Sequence, residues 1–311
     1  MRRQTTSHIL MVRPANFAFN EETATNNAFQ RRDESLSTAE IQSGAIAEFD
    51  EFVSKLRHAG VHVVVVEDSI TPAKPDAVFP NNWVTFHQEG FVVTYPMFAP
   101  IRRLERREDV IDAVAREGFR IDARFHFEES EARGCFLEGT GSIVFDHEHR
   151  LAYACLSPRT DEALLADLCQ KIGYKPVVFC AVDAKGQDIY HTNVMMAMGE
   201  SFVVICLESV FETAQRQMLE EQFLATGKEV VVISWQQMAS FAGNMLQVRN
   251  QSGQPLLVMS NTAFQALTPE QVDTLGRHTG LLHAPIDTIE KYGGGSVRCM
   301  MAEIFLPLFN P

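Results

Sequence analysis

Apolar and polar positions along this chain fall into two kinds of block. In one kind the apolar residues recur three or four apart: Ile41, Ile46, Phe49, Phe52, Val53 and Leu56 predict a helix over 38–59. The other kind is short, continuous and β-branched, as over 61–66, and predicts a strand. A hairpin-like pair follows at 82–86 and 91–95 around Glu89-Gly90, and then a helix at about 104–118. The order recurs with strands at 142–145 and 151–156, a helix at 161–172 and a strand at 175–179. Strands at 194–198 and 202–206, a helix at about 211–226 and a strand at 229–233 repeat it. So do strands at 245–249 and 255–260 around Gly253, a helix at 268–278 and a strand at 281–284. The chain closes on the apolar run 297–305, and the polar stretch 20–37 reads as a loop. A unit of hairpin, helix and strand thus returns about every 55–60 residues, which suits a propeller or ring better than a solenoid. Such a ring places turn loops around one central cavity, the expected place for a ligand. No linker or shift of composition interrupts the pattern, so 1–311 reads as a single α/β domain.

Charge narrows the partners. The formal net charge of −13 repels nucleic acid phosphates and anionic membrane surfaces, so neither is expected. No run of about 18 apolar residues is present, and none is expected to span a membrane. The apolar run 9–12 is too short for a signal-peptide core, and the cytoplasm is the expected compartment. The six cysteines form no CxxC pair and no zinc-type spacing with histidine, so no metal is expected. Cys155, Cys169, Cys180 and Cys206 lie in apolar runs and read as buried, reduced residues. His147-Glu148-His149 sits in a polar turn and reads as solvated.

Four short segments could carry chemistry. In Gly293-Gly294-Gly295-Ser296-Val297-Arg298-Cys299, the glycines allow close backbone approach to a ligand, and the cysteine beside an arginine could present a thiolate. The same segment reads equally as a glycine turn before a buried strand cysteine. His191, in Tyr190-His191-Thr192-Asn193 at a strand entrance, could serve a thiol as acid and base, or be structural. Glu138, in Leu137-Glu138-Gly139-Thr140-Gly141, could orient substrate nitrogens, or end a strand in water. Asn81-Asn82, in the turn that follows Asp76, could cap that turn or point into the cavity.

Together and in this order the segments resemble the guanidino-group-modifying superfamily, closest to the citrulline-utilisation hydrolases within the amidinotransferase and arginine deiminase-like proteins. Residues 293–300 look like the family's terminal nucleophile segment, 137–141 like its Glu-Gly-Gly-Asp motif, and His191-Thr192-Asn193 like its His-x-Asp motif. The resemblance covers essentially the whole chain. It implies the pentein fold, a five-bladed α/β propeller of ββαβ-type units around a central active site. It implies Cys299 as nucleophile, His191 as general acid and base, and Glu138 as a substrate-orienting carboxylate. It also implies that Asp76 holds an α-amino group and that Arg102 and Arg150 bind an α-carboxylate in their planar forks.

The departures bear on the substrate. Arginine-processing members carry an aspartate where this chain has Asn82, Asn193 replaces the aspartate of His-x-Asp, and Gly141 ends the Glu-Gly-Gly-Asp match. A guanidinium offers only donors and, once buried, calls for anionic acceptors. A neutral ureido group has donors and one acceptor, which the asparagine side chain complements. The expected reaction is hydrolysis of citrulline to ornithine, ammonia and carbon dioxide through a covalent Cys299 intermediate, with no cofactor. The alternatives are an arginine deiminase or dimethylarginine dimethylaminohydrolase activity, or a non-catalytic amino-acid-binding protein on the same scaffold. The expected partner is a small amino-acid substrate, and a homo-oligomer is compatible with it.

Overall fold

The structure, a computed structural model, describes residues 2–33 and 35–309. Its strands form five three-stranded sheets of one design, in which an antiparallel pair is extended by a parallel third strand. β1 (His8–Arg13) pairs in parallel with β2 (His62–Glu67) across helix α1 (Thr38–His58). The second unit is β3 (Val84–Phe86), β4 (Phe91–Thr94), α2 (Glu108–Arg116) and β5 (Ala123–His126). The third is β6 (Val144–Asp146), β7 (Leu151–Cys155), α3 (Glu162–Ile172) and β8 (Lys175–Phe179). The fourth is β9 (Met196–Met198), β10 (Phe202–Ile205), α4 (Thr213–Ala225) and β11 (Glu229–Val232). The fifth is β12 (Leu246–Arg249), β13 (Pro255–Ser260), α5 (Pro269–His278) and β14 (Gly280–Ala284). β15 (Ala302–Glu303) pairs antiparallel with β1, so the first sheet is assembled from both ends of the chain.

The crossover helices obey ordinary end chemistry. Ser37 and Glu40 form a capping box at the start of α1, and Thr268 and Gln271 form another at α5. α1 buries Ile41, Phe49, Phe52, Val53 and Leu56, most of the stripe that its periodicity predicts. The strands of the inner hairpins are buried on both faces, as in β4, β7 and β10, which explains why they read as unbroken apolar runs.

Several predicted boundaries move, and the shifts share one cause. The strands expected from 82, 142 and 194 begin two residues later, and only Ala302–Glu303 of the run 297–305 is strand. In each case the residues just before the strand form a tight turn: Pro80–Asn82, Gly139–Ser142, Thr192–Val194 and 297–300. Their apolar members are buried by packing of turn on turn rather than by a sheet. β1 and β5 were not anticipated. β5 is a half-exposed strand with Arg124 and His126 in it, and β1 has only four apolar residues. The stretch 20–37 contains the short helix Glu21–Ala24, and Asn20, Thr23 and Asn27 in it are buried. Cys180 is half-buried rather than buried, whereas Cys155, Cys169 and Cys206 are buried as expected. His147 is buried, not solvated: its Nδ1 meets the Tyr174 hydroxyl at 2.7 Å and its ring packs on Phe145 and Phe305. Among the described residues no helix is long and apolar enough to cross a membrane, and no His/Cys/Asp/Glu group could hold a metal ion.

Candidate active site

The position just before the first strand of each unit is special. Asn82 precedes β3, Glu138 and Gly141 precede β6, His191 and Asn193 precede β9, Asn244 precedes β12, and Cys299 precedes β15. The turn Pro80–Asn82 touches Gly139–Ser142, which in turn touches Thr192–Val194. Residues far apart in sequence are thus brought together by one structural position repeated five times.

Cys299 and His191 face one narrow cavity, with Asp76, Asn82, Arg102, Arg159 and Tyr190 in its walls. Thr23 and Asn27 of the N-terminal segment close it from one side. Asn27 Nδ2 reaches the Gly294 carbonyl at 3.4 Å, and the Tyr190 hydroxyl donates to the same carbonyl at 2.9 Å. The Cys299 sulfur is almost wholly buried and receives side-chain N–H contacts from Asn244 at 3.3 Å and Asn193 at 3.5 Å.

Glu138 stands behind His191, outside the residues that line the cavity, and contacts the imidazole. Its Oε1 accepts the Phe98 N–H at 2.9 Å, and its Oε2 lies 2.8 Å from His191 Nε2 and 3.4 Å from Arg159 Nη1. Burial alone would push this carboxyl up, but the Arg159 guanidinium, the His191 hydrogen bond and the Arg102 charge outweigh it and hold it well below the usual range. Glu138 is therefore an acceptor, which makes Nε2 the protonated nitrogen of a neutral His191 and leaves Nδ1 free to take a proton. Burial lowers His191 to about 4, against the pull of Glu138. Nδ1 and Cε1 lie only 2.7 Å from where a Cβ on Gly141 would stand, and Asn82 Nδ2 is closer still. A side chain at 141 would require Asn82 and His191 to shift.

Arg102 is buried, and its fork is already occupied by Glu105, at 2.9 Å from Nε and 2.8 Å from Nη2. Its Nη1 donates to Asn82 Oδ1 at 2.8 Å, and a bidentate grip on a substrate carboxylate is excluded in this arrangement. Arg150 is not at the site. It lies exposed in the left-handed turn (φ 56°) between β6 and β7. That turn is at the far end of β6 from Glu138, whereas the chain leaving antiparallel β7 returns to the near end and carries Arg159. Arg159 donates to Asn26 and to the Thr23 carbonyl and contacts Glu138, which ties the N-terminal segment to the site. Asp76 is buried 3.7 Å from Arg102, with Oδ2 accepting from Asn20 at 2.8 Å. Burial raises its carboxyl despite Arg102 and Asn20.

Sequence reasoning missed Asn244, Tyr190 and Arg159. The signal for Asn244 was its place immediately before the strand predicted at 245–249.

Residues 13–306 match the family described as N,N dimethylarginine dimethylhydrolase, eukaryotic. The chain belongs to this family, within the guanidino-group-modifying pentein superfamily. No curated protein sequence matches it. ArgZ, an arginine dihydrolase from the ornithine–ammonia cycle in cyanobacteria, is similar in its apo form with a TM-score of 0.74 at 16% identity, over 97% of this chain and 41% of that one. This chain therefore spans about two fifths of the full ArgZ chain. The N-terminal domain of ArgZ bound to substrate is similar with a TM-score of 0.73 at 16% identity, over 97% and 99% of the two chains. A dimethylarginine dimethylaminohydrolase adduct with S-methyl-L-thiocitrulline is similar with a TM-score of 0.64 at 14% identity, over 96% and 100%. At these identities the structural likeness speaks for the fold.

Proposed function

We propose that the chain hydrolyses a C–N bond of a ureido amino acid, citrulline, through a covalent intermediate on Cys299. The observation that carries this reading is three buried polar atoms without partners: Asp76 Oδ1 and Asn82 Nδ2 on residues of the cavity wall, and Asn193 Oδ1 on a residue that contacts Cys299. Buried polar groups are ordinarily satisfied, and leaving one unmade costs about 1–3 kcal/mol. A ureido carbonyl supplies the acceptor that Asn82 lacks, a ureido N–H the donor for Asn193, and an α-ammonium group the donor for Asp76. Arg102 and Arg159 each keep one Nη1 hydrogen unengaged, and these two together suit an α-carboxylate. In the same reading the whole chain is one catalytic domain whose sheets stand as five blades around the cavity, supported by the β15–β1 pairing of the chain ends.

The thiol proton of Cys299 passes to His191 Nδ1 as the sulfur attacks the ureido carbon, and Glu138 stabilises the imidazolium that forms. The C–S bond is made and the bond to the ornithine nitrogen breaks, His191 returning the proton to that amine. His191 then takes a proton from water, whose oxygen displaces the sulfur. The carbamate released yields ammonia and carbon dioxide.

The family match and the likeness to an arginine dihydrolase favour a second reading, with arginine as substrate. A site that hydrolyses a ureido group would also hydrolyse one formed in place from a guanidinium. Product analysis separates the readings. Ornithine from citrulline with little turnover of arginine supports the first, ornithine from arginine the second, and citrulline from arginine or a methylarginine a deiminase-type activity. The double change Asn82→Asp with Asn193→Asp is expected to shift the ratio of kcat/KM toward arginine, and an unmoved ratio would sink the ureido reading.

A further inference from the structure

The turn before β12 reaches the sulfur of Cys299. Asn244 is fully buried there. Its Oδ1 accepts the backbone N–H of Arg298 at 3.2 Å, and its Nδ2 donates to the backbone carbonyl of Asn193 at 2.9 Å. These partners are of opposite kind, so turning the carboxamide over would set donor against donor and acceptor against acceptor. The orientation is therefore fixed, and the second Nδ2 hydrogen is delivered to Cys299 Sγ at 3.3 Å. The reverse contact, thiol to Oδ1, is longer at 3.7 Å. A donor aimed at sulfur favours the anion, the stronger acceptor. The turn is built to hold this position. Phe241 adopts a left-handed conformation (φ 61°), uncommon for an aromatic residue, and a Cβ on Gly243 would strike the backbone of Val194 and Met195.

We propose that Asn244 is a catalytic residue that stabilises the negative charge on the Cys299 sulfur, with Asn193, at 3.5 Å, as a weaker second donor. This rests on the reading of Cys299 as nucleophile. The other groups facing the sulfur's cavity are His191, Tyr190, Asp76, Arg102 and Arg159, while Arg298 on the nucleophile's own turn is engaged by Glu303 and the Met301 carbonyl. None of these donates a hydrogen bond to the sulfur.

The test is the pH dependence of Cys299 alkylation by iodoacetamide, followed on the Cys299 peptide by mass spectrometry, in wild type, Asn244→Ala and Asn244→Asp. The pH of half-maximal alkylation is expected to rise by about one unit in the alanine variant and by more in the aspartate variant. Turnover near neutral pH should fall about tenfold in the alanine variant, with KM little changed and recovery as the pH is raised. The aspartate variant keeps the shape and the acceptor for Arg298, so it decides the matter if the alanine variant does not fold. A folded variant with the wild-type alkylation profile would overturn the proposal, whatever its activity. Alkylation needs no substrate, so the result stands even if the citrulline assignment fails. Turnover by Cys299→Ser would instead refute the nucleophile reading itself.

Discussion

Around Lys228 and Asp146 the buried charges are fully partnered, whereas around Cys299 several buried polar atoms are not. Lys228 Nζ reaches the Gly199 carbonyl at 3.1 Å, the Glu200 carbonyl at 2.8 Å and Asp146 Oδ2 at 3.4 Å, while Asp146 Oδ1 accepts from the His149 backbone at 3.1 Å. Both side chains are shut off from solvent. In the candidate active site Asp76, Asn82 and Asn193 are as deeply buried, yet each keeps one polar atom idle. The first cluster is a finished structural joint, and in the proposed reading the second is completed by the substrate. Equal burial of polar groups therefore says little until their partners are counted.

The sharpest way to break this contrast is at the nucleophile. Cys299→Ser is expected to lower kcat by at least about a thousandfold with thermal stability unchanged, because a hydroxyl is a far weaker nucleophile than a thiolate. Steady-state rates and a melting curve test both halves. Near-normal turnover would remove Cys299 from the mechanism.

Stability should separate the two clusters next. Asp146→Ala leaves the Lys228 ammonium buried without its counter-charge and is expected to cost about 3–5 kcal/mol in denaturant unfolding. Asp76→Asn removes a carboxyl whose charge burial already opposes, and is expected to leave stability within about 1 kcal/mol or to raise it, while KM rises at least about tenfold. Equal losses of stability in the two variants would mean that the active-site carboxylate is structural.

A smaller effect comes from the buried histidines. Burial lowers His87 from 6.5 to about 3. Between these values His87 binds more proton in the unfolded chain than in the folded one, so its contribution to stability is lost as pH falls from about 6.5, by up to about 1.4 kcal/mol per pH unit, while Glu105, raised to about 7, opposes it. His191, lowered to about 4, acts in the same direction, and the raised Asp76 acts in the opposite one. The comparison with His87→Gln isolates this residue: urea midpoints at pH 7.5, 6 and 5 should fall less steeply in the variant. Parallel slopes would show that His87 does not titrate on unfolding.

The least change is expected at Arg150. Its exposed place in the β6–β7 turn predicts that Arg150→Ala alters stability by no more than about 0.5 kcal/mol and leaves KM unmoved. A rise in KM would return Arg150 to the site in place of Arg159.

Local sequence determined the units of this molecule. The helical stripe of α1, the capping boxes and the β-branched runs of β2, β4 and β10 act over a turn of helix or a few residues of strand, so periodicity and end chemistry suffice to read them. The segments that hold Cys299, His191 and Glu138 stand out for a related reason: each combines residue types that are unusual together. What the sequence could not decide is which turns meet. Asn244 and Arg159 resemble any polar residue beside a strand until the fold sets one against a sulfur and the other against Glu138. Arg150 and Arg159 differ by nine positions and by the direction of one strand, and that direction alone places one outside and the other in the cavity wall. Proximity across the five units depends on long-range packing of turn on turn, which no local pattern encodes.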